Sequence, residues 1–114
     1  MKFERELLKG VAPVVVLEIL SRGEMYGYEL SEAVASRSGD ILTLGRGTLY
    51  PLLYNLEAKG LVVANERKSK NGRKRRYYSI TSKGLDQLES SKEQWQSFRK
   101  GVDLVFGSLG PELA

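Results

Sequence analysis

The chain has 114 residues, which suits one compact domain, and its 41% apolar and 28% charged content is that of an ordinary globule. It contains no cysteine and no histidine, which excludes a disulfide framework, a thiolate or imidazole metal site and the commonest general base. Formal net charge is +4, yet residues 67 to 76, "RKSKNGRKRR", hold seven Lys or Arg and no acid, leaving 11 basic against 14 acidic residues elsewhere.

The start, "MKFERELLKG", carries charges where a signal peptide has an apolar core. No apolar run approaches the roughly 20 residues of a membrane span. The expectation is a cytoplasmic protein without metal or cofactor. "VAPVVVLEILSRG" (Val11 to Gly23) is almost continuously apolar. Three valines in a row suit a buried strand, but Ile19 and Leu20 prolong the run and Gly23 supplies a stop, so a buried helix is predicted. Pro13 either kinks it or sits in its first turn; Glu4 to Lys9 is a separate turn or the same helix before the kink. After a tight turn at "RGEM", a second helix spans Tyr26 to Gly39, with Leu30, Ala33 and Val34 inward.

A third helix follows in "GRGTLYPLLYNLEAKGLV". Leu49, Leu52, Leu53 and Leu56 fall on one face, Thr48 suits an N-cap, and Gly60 ends the helix with Leu61 as apolar cover. Pro51 is expected in the first turn, where no helical N–H bond is lost. Pro51, Tyr54 and Ala58 point away from the leucines, flanked by Thr48, Tyr50 and Asn55. Two strand-like runs, Leu61 to Arg67 and Lys74 to Ile80, then flank an Asn-Gly turn. The basic cluster therefore lies on a β-hairpin, with Tyr78 and Ile80 inward and Tyr77 outward. From a Thr or Ser cap a long amphipathic helix runs on. Leu88, Trp95, Val102 and Leu109 recur every seven residues, with Phe98 and Val105 beside them, a short heptad seam.

Three helices, a basic hairpin and a helix is the order of a winged helix-turn-helix. The predicted fold is mainly α with a small β-hairpin: a DNA-binding unit over residues 1–80, a C-terminal dimerisation helix over 81–109 in the same compact unit, and a tail, 110–114. A major groove admits an α-helix whose front residues reach base edges, and projecting cations neutralise phosphates. The candidate DNA contacts are Arg46, Thr48, Tyr50, Pro51, Tyr54 and Asn55 on the third helix. On the hairpin they are Lys68, Lys70, Arg73, Lys74 and Arg75. Each feature alone has a plainer explanation: surface stacking for the tyrosines, capping for Thr48 and Pro51, solvation for the charge run. Their order favours duplex DNA. The seam residues Leu88, Trp95, Phe98, Val102, Val105 and Leu109 are the candidate dimer interface. Trp95 on such a seam reads first as packing; the sharper reading is that Trp95 and Phe98 line a slot for a small aromatic ligand.

The motifs "YGYEL", "GTLYPLLYNLEAKGLV" and "GRKRRYYSITSKG", with their spacing, resemble the PadR family of bacterial transcriptional regulators over about Lys9 to Val105. The short single C-terminal helix resembles the small-subunit branch. The resemblance implies a homodimeric winged-helix repressor on a palindromic operator, often near its own gene or a detoxification or transporter gene. It implies that Thr48, Tyr50 and Pro51 enter or border the groove and that Lys70, Arg73 and Lys74 are wing contacts. Trp95 matches a dimer-centre tryptophan of some multidrug-sensing members, while others respond to phenolic acids. Pro13 is a departure, since the family's first helix is usually continuous. Two other readings are a winged-helix protein-interaction module without specific DNA binding, which the basic cluster disfavours, and an RNA-binding winged helix. No convergent catalytic pair is visible, so no enzyme is expected.

Overall fold

Pro13 does not break the first helix. In the computed structural model, which describes residues 2–107, α1 runs unbroken over Arg5–Leu20 with Pro13 inside it. The proline leaves the Lys9 carbonyl without its helical partner, a cost of about 3 kcal/mol in an isolated helix. Burial of Ala12, Val16, Leu17, Ile19 and Leu20 offsets that cost, since each large apolar side chain contributes roughly 1.5–3 kcal/mol.

The remaining elements are β1 (Met25–Tyr26), α2 (Gly27–Arg37), α3 (Arg46–Ala58), β2 (Val62–Lys68), β3 (Lys74–Ile80) and α4 (Ser82–Phe106). The "RGEM" turn thus runs into a strand of two residues, which pairs Met25 with Tyr78 and Tyr26 with Tyr77. The sheet has three antiparallel strands in the order β1-β3-β2. In α2, Leu30 and Val34 are buried, and the Glu29 carboxylate accepts the Tyr26 N–H at 3.3 Å. Gly39 and Asp40, both at positive φ, turn the chain away, and Ser31 and Ser38 hold the loop through Leu44 and Leu42.

The start of α3 corrects two expectations. Gly45, not Thr48, is the N-cap: the N–H groups of Thr48 and Leu49 both donate to the Gly45 carbonyl, at 3.1 and 2.9 Å. Gly45 brings the chain in with extended backbone (φ −76, ψ 169), so the helix begins at Arg46. Pro51 then falls in the second turn and frees the Gly47 carbonyl. Leu49, Leu53 and Leu56 are buried and Leu52 partly so. The end of the helix is as expected. Gly60 takes φ +75, its N–H donates to Glu57, and the Leu61 N–H donates to Leu56, two bonds of a Schellman closure with both leucines buried.

The hairpin turn closes through Gly72 N–H to the Ser69 carbonyl, 2.9 Å, and Ser69 N–H to the Arg73 carbonyl, 2.8 Å, with Gly72 at φ +81. On β3, Tyr78 faces α3 and the core and is 1% exposed, while Tyr77 faces outward, as alternation predicts. The Tyr78 hydroxyl makes no hydrogen bond of good geometry among the described residues, and burial pushes its pKa up against the opposing pull of the neighbouring Arg76. Tyr78→Phe is therefore expected to raise stability by about 1 kcal/mol. That would appear as a higher urea midpoint at unchanged m-value. A lower midpoint would mean that the hydroxyl is bonded after all.

One hydroxyl joins α3 to α4. Thr81 Oγ1 accepts the Gly84 N–H at 3.0 Å, the expected N-cap, and donates to the Gly60 carbonyl at 2.8 Å. Lys83 adds a bond to the Lys59 carbonyl at 2.9 Å. Further along, Lys92 reaches Glu18 of α1 at 2.6 Å. The hydrogen bond and charge of Lys92 hold the Glu18 carboxyl below its ordinary range. Gly107, at φ +78, ends α4. The helix is about 37 Å long, and only Gly84 and Leu88 on it are buried, so most of it projects from a molecule 58 Å in its longest extent.

Candidate nucleic-acid interface

Beyond Arg46 the outward side of α3 carries no charge until Glu57, which is paired with Arg76. Arg46 is exposed at the helix start, Pro51, Tyr54 (56% exposed) and Asn55 follow on the same open side, and Thr48 and Tyr50 are half-buried. Gly45 has no side chain to cap the first N–H groups, and the first turn holds no acid. That end of the helix offers N–H donors and the positive end of its dipole outward. Tyr50 is less free than its sequence position suggests. Its ring lies over Gly27, where an added Cβ would be 2.8 Å from Cζ. Tyr54 packs beside it at 6.4 Å between ring centroids. Gly27 in "YGYEL" therefore leaves room for the tyrosine at the front of α3, a contact that no local pattern reveals.

The structure divides the seven wing cations into two groups. Arg76 makes a two-pronged bridge to Glu57 of α3, at 2.7 and 2.8 Å. On the other face of the sheet Arg67 pairs with Glu24 and stacks over Tyr77 at 3.9 Å. Arg75 is half-buried with its guanidinium 4.2 Å from the Tyr26 ring centroid, so this candidate DNA contact is held on the sheet surface instead. Tyr26 and Tyr77 meet edge to face at 5.4 Å. Lys68, Lys70, Arg73 and Lys74 are exposed and have no acidic partner among the described residues. Lys68 lies directly opposite Lys74, and Arg67 opposite Arg75. Like charges facing each other across a strand pair are destabilising. The paired arginines fix the wing to α3 and β1, and the unpaired cations gather at its far end.

On α4 the candidate seam separates as well. Leu88 is 5% exposed and belongs to the subunit's own core, so it is not available to a partner: a heptad position near the root of the helix meets its own domain first. Trp95, Phe98 and Val105 are exposed and Val102 is half-buried. Leu109 lies outside the described residues. Trp95 and Phe98 stack at 6.2 Å and 22°. With Phe3 and with Leu7 and Val11 of α1 they line an apolar cleft of about 550 Å³. Among the described residues no helix is long and apolar enough to cross a membrane.

Residues 16–90 match the Transcriptional regulator PadR-like family. The chain is 32% identical over 98 residues to the transcriptional regulator Rv3488 of Mycobacterium tuberculosis, covering 86% of this chain and 88% of that one. It is 33% identical over 93 residues to the transcriptional regulator YqjI of Escherichia coli, spanning 82% of this chain but only 43% of the longer relative. Among solved structures, a PadR-like transcriptional regulator from Bacillus cereus superposes with a TM-score of 0.75 at 37% identity, covering 89% of this chain and 96% of that one. Matched in sequence through α3 and the β2–β3 hairpin, and in fold along nearly its whole length, the chain belongs to the PadR-like family of transcriptional regulators.

Proposed function

We propose that the protein is a homodimeric repressor that holds a palindromic operator with α3 and the wing and is released by a small aromatic or phenolic ligand. The observation that carries the DNA contact is the division of the wing charges: Glu24 and Glu57 neutralise Arg67 and Arg76, Arg75 lies against the Tyr26 ring, and the four outer cations remain for phosphates. Phosphate contacts position the protein while the front of α3, with Arg46, Thr48, Tyr50, Pro51, Tyr54 and Asn55, meets base edges. Support for a dimer comes from α4, where Trp95, Phe98, Val105 and Phe106 are exposed together at 40–85%. An apolar strip of that kind marks an interaction surface, and a second copy of α4 presents the same strip by two-fold symmetry. Two clefts at Trp95, one per subunit, would bind an aromatic ligand. The ligand acts only if it favours one spacing of the two α3 helices over another.

The test is a fluorescence-anisotropy titration against duplexes from upstream of the protein's own gene and a shuffled control, with sedimentation equilibrium in parallel. Site-selective binding by a dimer, converted to monomer by Phe98→Ser with Val102→Ser, is the expected result. A dimer mass in that double variant would remove the seam. Equal, weak binding to every duplex would remove the specific reader.

A further inference from the structure

We propose that α1 is a second phosphate-binding arm: Arg5 and Lys9 grip the DNA backbone on the side of α3 opposite the wing. This rests on the DNA-binding reading above and extends it to an element with no assigned DNA contact. Arg5 and Lys9 stand one helical turn apart, so they share a face of α1. That face and the front of α3 form a cleft of about 600 Å³, lined by Arg5, Lys9, Gly47, Thr48, Pro51 and Asn55. It is the open side of the reading helix, because a side chain added at Gly45 or Gly47 would meet nothing within 4 Å.

Both cations are exposed and neither pairs with an acid among the described residues. Glu6, the acid between them, is turned about 60–100° around α1 from the two cations and lines the Trp95 cleft instead. A helix seated in a major groove has a phosphate backbone on each side of it. The wing, tied to α3 by Arg76 and Glu57, can serve only one of them. Arg5 and Lys9 serve the other, so that α3 is held from both flanks and its depth in the groove is set.

The experiment uses the full chain and a fluorescein-labelled duplex of mixed sequence, about three helical turns long, with affinity measured across a salt series. Arg5→Gln with Lys9→Gln is expected to lower the salt slope by about 0.9 for each phosphate no longer neutralised. Lys9→Arg should keep the slope. Arg99→Gln with Lys100→Gln on α4, a change of equal charge, should leave it unaltered, and melting curves confirm that each variant is folded. If the Arg5/Lys9 variant keeps the wild-type slope while Lys70→Gln with Lys74→Gln lowers it, the α1 arm is refuted and the DNA reading stands. If the α4 control lowers the slope equally, the effect is one of net charge and the arm is again refuted. If the wild-type chain binds no duplex, the DNA reading fails and the arm with it.

Discussion

Gly84→Ala is expected to destabilise the protein by about 3 kcal/mol, at the upper end for overpacking a well-filled site. A loss of that size would lower Tm by roughly 10 °C or more. Gly84 is buried in the first turn of α4. An added Cβ would be driven into the Leu61 carbonyl oxygen and lie 2.7 Å from Ile80 Cγ1. The first of these is backbone, so no rotamer change relieves it. It belongs to the stretch where α3 has just ended and β2 begins, and the same carbonyl accepts the Thr81 N–H at 3.0 Å. Separating α4 from this point opens the contact between the wing's base and the long helix. Gly101→Ala is the contrast. It lies inside the same helix with nothing within 4 Å of an added Cβ, so the substitution should stabilise by about 0.5–1 kcal/mol through helix propensity. Thermal or urea melts of the two variants check both signs; a small effect at Gly84 would show that the root of α4 yields easily.

Neutralising Lys68, Lys70, Arg73 and Lys74 together with glutamine should weaken duplex binding by about two orders of magnitude or more near physiological salt. The slope of log affinity against log salt should fall by about 0.9 for each phosphate that loses its cation. The weakening should be the same on a cognate and a shuffled duplex, because phosphates carry no sequence. Folding should be untouched, since these four side chains are exposed and one pair of them faces across the sheet. Weakening confined to the cognate duplex would make the wing a reader of bases. Arg76→Gln should behave differently. It leaves the outer charge in place but cuts the bridge to Glu57, so its cost is in how firmly the wing is set against α3.

Most of the fold is readable where a signal is local. The leucine spacing of α3, the Asn-Gly turn, the alternation of Tyr77 and Tyr78 and the Thr81 cap each depend on neighbours within a few residues. The two prolines mislead because a local rule counts the missing N–H without knowing what the helix buries: tertiary packing carries α1 straight through Pro13, and Gly45 starts α3 early enough to put Pro51 in the second turn. Strand β1 is too short for any period. Leu88 shows the limit of a heptad, which marks an apolar face without saying whether the subunit or a partner covers it. The ties that set the candidate interface join distant residues: Glu57 with Arg76, Glu24 with Arg67, Gly27 with Tyr50. Composition reveals a basic wing; only these pairings tell which of its cations are already neutralised.

The Thr81 junction makes α4 a lever with a defined fulcrum. Its root is bonded to Gly60 and Lys59, the last residues of the α3 closure, and Trp95 stands fourteen residues further on, about 21 Å along the axis. A sideways displacement of about 1 Å at Trp95 is thus a rotation of about 3° at the root. The stiff helix between them has no interior proline to absorb it. Lys92 and Glu18 form a strut partway along the arm. A displacement at Trp95 therefore meets α3 at the C-terminal end of that helix, the core at Leu88 and α1 at Glu18, and Glu18→Gln would weaken the last of these ties while leaving the other two.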